Sequence, residues 1–89
     1  MKTVRLLIKG KVQGVFYRAT AKKSAENLGI NGWIKNTEEG DVVAEATGDE
    51  EALKTFIDWC RKGPLNAHVT EVIVQHQELR HHQDFLIKK

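Results

Sequence analysis

Residues 3–28, TVRLLIKGKVQGVFYRATAKKSAENL, contain the change of rhythm that decides the fold. Over residues 3–9, Val4, Leu6 and Ile8 alternate with Arg5, Leu7 and Lys9, the period of a strand with one buried face. Over residues 19–28 the period lengthens. Ala21, Ala25 and Leu28 share one helical face, Lys22, Lys23 and Glu26 look outward, and Gly29 supplies a left-handed stop. Between the two, Gly10 and Gly14 bracket a short loop that runs straight into the helix N-terminus.

Working outward, residues 30–36 and 41–47 read as strands joined by Thr37-Glu38-Glu39-Gly40, a polar glycine-containing hairpin connection. A second helix follows. Asp49 is positioned to cap it, Glu50 and Glu51 sit in its first turn, and Leu53, Phe56, Ile57 and Cys60 fall at helical spacing. Arg61, Lys62, Gly63 and Pro64 close it. Residues 68–78 form a strand, residues 80–83 a polar turn, and Phe85-Leu86-Ile87 a short final segment. This order predicts a ferredoxin-like α+β fold: a split β-α-β sandwich with one antiparallel-rich sheet, both helices on one face and a short C-terminal strand.

The chain has 89 residues, 40% hydrophobic and 29% charged, which fits one small domain over residues 1–89 and argues against disorder. No apolar run approaches the ~20 residues of a membrane span, and none after Met1 resembles a signal peptide. One cysteine, Cys60, rules out an internal disulfide and a Cys-rich zinc site. The expectation is a soluble, cytoplasmic protein that needs no more than a monomer. A net charge of +2 suits a small anion better than a long polyanion.

The topology already places chemistry. Strands one and two run the same way with strand three between them, so the loop after the first and the turn after the second emerge at one sheet edge, roughly 10 Å apart. In the loop, amides near a helix N-terminus can cradle an anion, and Arg18 can place a planar guanidinium over the same spot. Asn36 closes strand two. Spacing alone also fits an ordinary strand-to-helix turn with Arg18 on the surface, and an Asx turn at Asn36. The loop is not the GxxxxGK[ST] loop of nucleotide hydrolases.

Gly10-Lys11-Val12-Gln13-Gly14-Val15-Phe16-Tyr17-Arg18 resembles the acylphosphatase signature G-x-V-Q-G-V-x-[FY]-R, and Gly32-Trp33-Ile34-Lys35-Asn36 resembles its second motif, G-W-[VI]-x-N. Gly48-Asp49, Gly63-Pro64 and the Phe85-Leu86-Ile87 segment also fit, so the resemblance spans essentially the whole chain. It implies metal-independent hydrolysis of the carboxyl–phosphate anhydride of acyl phosphates. It also implies that Arg18 binds phosphate, that Asn36 positions the attacking water, and that the backbone amides of Gln13, Gly14, Val15, Phe16, Tyr17 and Arg18 form the cradle. Two departures stand out. Lys11 replaces a common Arg, and Leu86-Ile87-Lys88 replaces an acidic-Ile-Arg ending, which puts only terminal packing in question.

The chemistry matches the residues present. A carboxylate of pKa about 4–5 leaves without protonation, so neither a paired acid and base nor a cofactor is needed. The expected partner is a small acyl phosphate, with no nucleic acid and no membrane. Phe16, Tyr17 and Trp33 raise a rival reading, base stacking on a ferredoxin-like sheet, but the RNP1-type string is missing. A phosphate-binding module without turnover is a third. Cys60 reads as core packing on the second helix, and His68, His76, His81 and His82 as solvated histidines with no metal spacing.

Overall fold

The computed structural model describes Met1–Lys89. Its elements are β1 (Lys2–Lys11), α1 (Tyr17–Asn27), β2 (Asn31–Asn36), β3 (Val42–Gly48), α2 (Glu50–Lys62), β4 (His68–Gln77) and β5 (Phe85–Ile87). The strands form one sheet in the order β4-β1-β3-β2-β5. β3 lies antiparallel between β1 and β2, whereas β5 joins β2 in parallel, pairing Ile87 with Ile34. This is the expected ferredoxin-like sandwich.

Alternation along each strand builds the core. Val4, Leu6, Ile8, Ile34, Val42, Ala44 and Ala46 meet Ala21, Ala25, Leu53, Phe56 and Cys60 from the helices, all buried. Phe85 closes the layer, its ring edge-on to Phe56 at 5.9 Å. Burial pushes the Cys60 thiol up to about 12, so it stays protonated at neutral pH, a packing group as expected.

Three local expectations are corrected. Gly10 does not open the loop; it belongs to β1, at a register shift opposite β4, with φ +127°. A Cβ there would meet the His68 carbonyl oxygen at 2.1 Å, so the glycine serves a close strand approach rather than a turn. Helix α1 starts two residues earlier than the apolar periodicity indicates, because Tyr17 is itself a core residue. Asp49 occupies the N-cap of α2, but its side chain makes no capping bond; its carbonyl accepts from Leu53 N at 2.9 Å.

The face of the sheet away from the helices is mixed, with Leu7, Trp33, Val43 and Ile73 beside a charged cluster. On it Glu45, only 1% exposed, accepts from Arg5 Nη2 at 3.2 Å and lies 2.8 Å from His82 Nε2 and 3.6 Å from Arg80 Nη1. His82 is therefore a partner of a buried carboxylate, not a solvated histidine; the contact spans 37 residues and leaves no local mark in the sequence. Thr47 Oγ1 donates to Arg80 O at 2.7 Å and Arg80 N donates to Thr3 Oγ1 at 2.9 Å, pinning the same turn to the sheet. Burial alone would push the Glu45 carboxyl up, but the bonds from His82 and Arg5 and the nearby Arg charges outweigh it and hold it below the usual range.

A carboxyl depressed by folding stabilises the fold above its unfolded pKa of about 4.3, and that contribution disappears as pH falls through the folded value. Glu45→Gln is expected to cost about 1–3 kcal/mol at pH 7, with the gap narrowing at an acid pH below the unfolded carboxyl value. Urea midpoints of both proteins at the two pH values test this, and a gap independent of pH would reject the charge as its source.

Candidate phosphate site at the end of the sheet

The loop between β1 and α1 owes its shape to two left-handed residues, Gly14 at φ 73° and Phe16 at φ 63°. Phe16 is the only non-glycine residue with positive φ in the chain. Left-handed residues at alternate positions turn successive N–H groups toward a common side, the geometry of an anion nest. The loop and turn hydrogen bonds include no amide donor between Gln13 and Arg18, and the first-turn amides of α1 have no helical acceptor by position. Negative charge is favoured here by the helix dipole as well.

Neighbouring residues hold this loop from two directions. Tyr17 points into the core, donates from Oη to the Cys60 carbonyl at 2.7 Å, and packs its ring 5.4 Å from that of Trp59. Gly63 leaves room for it, since a Cβ there would stand 2.9 Å from the Tyr17 ring. Gln13 Nε2 donates to the carbonyls of Thr37 and Asp41 at 2.9 and 2.8 Å, clamping the loop to the β2–β3 hairpin. Sequence reasoning assigned Gln13 only a backbone role, and its side chain is the link it missed; the signal was a glutamine between two turns that reach the same sheet edge.

The loop and the end of β2 enclose a cavity of about 430 Å³. Arg18, Asn36 and Gly14 line it together with Val12, Phe16, Tyr17, Ala19 and Ile87. Thus the structure brings Arg18 and Asn36 to one space, as the strand directions predict. The Arg18 guanidinium takes part in none of the chain's ion pairs. Asn36 follows Ile34 on the helix-facing side of β2, and its Oδ1 is buried without a hydrogen-bond partner. Buried polar atoms are nearly always satisfied, so an unpartnered one beside a cavity marks a place for a ligand or an ordered water. Ile87, the position of the C-terminal ending that keeps the motif residue, borders the same cavity, whereas the departing residues Leu86 and Lys88 do not line it.

Other candidate groups do not converge in this way. A second cavity, about 420 Å³, lies against α2 and carries charges of both signs, with Lys2 Nζ 3.0 Å from Glu50 Oε1. No three His, Cys, Asp or Glu side chains gather as a ligand set. The three aromatics of the stacking hypothesis are dispersed. Tyr17 is buried, Phe16 lies in the loop, and the Trp33 ring is flanked by Lys88, Arg5 and Lys35 at 4.7, 5.5 and 5.8 Å.

Sheet and helices define a ferredoxin-like α+β domain with an amide-rich loop at one end of its sheet. The acylphosphatase family model matches residues 4–87, and the chain belongs to the acylphosphatase family. An acylphosphatase of Methylococcus capsulatus is 45% identical over 75 residues, covering 84% of this chain and 82% of the relative. The crystal structure of acylphosphatase from Bacillus subtilis superposes with a TM-score of 0.97 at 32% identity, covering 100% of both chains. An acylphosphatase structure from Coxiella burnetii gives 0.95 at 33% identity, over 98% of this chain and 92% of that one. No helix is long and apolar enough to cross a membrane.

Proposed function

We propose that the chain hydrolyses acyl phosphates to a carboxylate and inorganic phosphate, with Arg18 and the amides of residues 13–18 holding the phosphoryl group and Asn36 holding the attacking water. In this reading residues 1–89 form one acylphosphatase-like domain that acts as a monomer in the cytoplasm. The observation that carries this reading is the unpartnered Asn36 Oδ1 on the cavity that Arg18 also lines.

Phosphoryl transfer depends on positioning and on stabilising charge over the equatorial oxygens. Arg18 offers a planar fork to two of those oxygens, and the loop amides serve the rest. The water donates one O–H to Asn36 Oδ1, which leaves an oxygen lone pair facing phosphorus. As the new P–O bond forms, the bond to the acyl oxygen breaks and its electron pair leaves with the carboxylate. That group departs as the anion, being a base no stronger than an Asp or Glu side chain. The water's proton passes to a phosphate oxygen. An amide suits position 36 better than a carboxylate, which would repel the dianion.

Hydrolysis of benzoyl phosphate in chelator, followed by loss of ultraviolet absorbance, tests this directly. Asn36→Ala is expected to lower kcat by about 10²-fold while KM changes only a few-fold, because the amide orients the nucleophile rather than the phosphate. A folded Asn36→Ala enzyme with wild-type kcat would reject the water-holding role. A folded wild type without turnover would leave a phosphate-binding domain.

A further inference from the structure

We infer that Phe16 and Ile87 form an acyl subsite beside the phosphate cradle, and that it selects acyl phosphates with an uncharged, aromatic or branched apolar acyl group. This rests on the phosphate assignment above and extends it to the other half of the substrate.

The lining of the cavity is divided. Arg18 and Asn36 are its polar side chains, whereas five of the eight lining residues are hydrophobic. At about 430 Å³ the space is many times the ~30 Å³ of one water, well beyond a phosphoryl group and its nucleophile. It falls in the range of sites that enclose whole small molecules.

Phe16 is the strongest indication. It is 81% exposed, while the other phenylalanines, Phe56 and Phe85, are fully buried. Leaving such a side chain in water forgoes roughly 2–3 kcal/mol of burial. Its backbone is moreover in the left-handed region, unfavourable for a bulky residue. Neither the core nor the loop's own hydrogen bonds use its ring. Ile87, 41% exposed on β5, lines the same cavity. Its pairing with Ile34 sets it on the same sheet face as Asn36, so it stands beside the catalytic amide rather than behind the sheet. An acyl group entering between the two would cover both.

Charge sets the rest of the specificity. Arg18 is the only charged residue lining the cavity, and it is committed to phosphate. An acyl group bearing its own carboxylate or phosphate finds no second cation there. An aryl group finds a ring and a branched aliphatic chain.

Phe16→Ala and Ile87→Ala are each to be compared with wild type for kcat/KM on benzoyl phosphate and on acetyl phosphate. The quantity read is the benzoyl-to-acetyl ratio, in which any loss through the shared phosphate cradle cancels. The ratio is expected to fall about tenfold in each variant, mainly through KM for benzoyl phosphate, because ground state and transition state lose the same apolar contact. Ile87→Ala keeps the test independent of the loop backbone. An unchanged ratio in both variants overturns the subsite while leaving the phosphate assignment intact. A wild type inactive on both substrates overturns the two together.

Discussion

Arg18→Ala is expected to lower kcat/KM for benzoyl phosphate by about three orders of magnitude or more, the largest loss of any single side chain in the site. The estimate follows the effect of arginines that neutralise a transferring phosphoryl group. The guanidinium has no competing carboxylate, so its whole electrostatic effect is available to substrate. It also opens a helix whose N-terminal amides face the same space, so fixed dipole and mobile charge act on one anion. Arg18→Lys retains the charge but loses the two-pronged geometry, and should recover only part of the activity. Because Arg18 is half-buried and structurally unpaired, its removal should leave the unfolding transition within about 0.5 kcal/mol of wild type. Steady-state kinetics paired with urea unfolding separates the two effects. A loss of activity matched by a comparable loss of stability would assign Arg18 a structural role instead.

Gly32→Ala is the second large effect, and it acts on folding. Gly32 lies in β2 at φ +150°, and a Cβ there would stand 1.9 Å from the Glu45 carbonyl oxygen and 3.1 Å from Ala46 Cα. Both obstacles are backbone of the paired strand, which cannot rotate aside as a side chain would. The substitution must therefore part β2 from β3 or shift their register, with a cost of about 3–5 kcal/mol, a large share of a small domain's stability. Asn36 ends the same strand, so activity should fall together with the folded population. Gly40→Ala is the control, since a Cβ there meets nothing within 4 Å even though its φ is +94°. Equal midpoints for Gly32→Ala and Gly40→Ala would show that conformation, not the close strand contact, is what Gly32 supplies.

Sequence and structure agree where information is local or follows from strand direction. Alternation in β1, the helical stripe of α2 and the Gly63-Pro64 stop all speak of their own neighbourhood. The meeting of Arg18 and Asn36 follows from two parallel strands separated by a third. What stayed hidden depends on partners distant in the chain. Gly10 looks like a turn glycine until the His68 carbonyl is placed against it. Glu45 and His82 pair across the sheet's outer face, and neither position announces the other. Phe16 is hidden for a different reason. Its left-handed backbone runs against residue preference, and such exceptions arise where a site imposes its own geometry.

The placing of β3 also governs when the site comes into being. The loop and the end of β2 precede residues 42–48 in the chain, yet β1 and β2 have no hydrogen bonds with each other; each pairs with β3. A nascent chain carrying both motifs therefore has Arg18 and Asn36 without the spacer that sets β1 and β2 apart. Gln13 finds its second acceptor, Asp41, only at the entrance to that strand. During synthesis, and again during refolding from denaturant, enzymatic competence cannot precede insertion of the central strand, and it also awaits the Cys60 carbonyl that anchors Tyr17 and the Ile87 side of the cavity. Recovery of turnover after dilution from urea thus marks a moment no earlier than the arrival of β3 in the sheet.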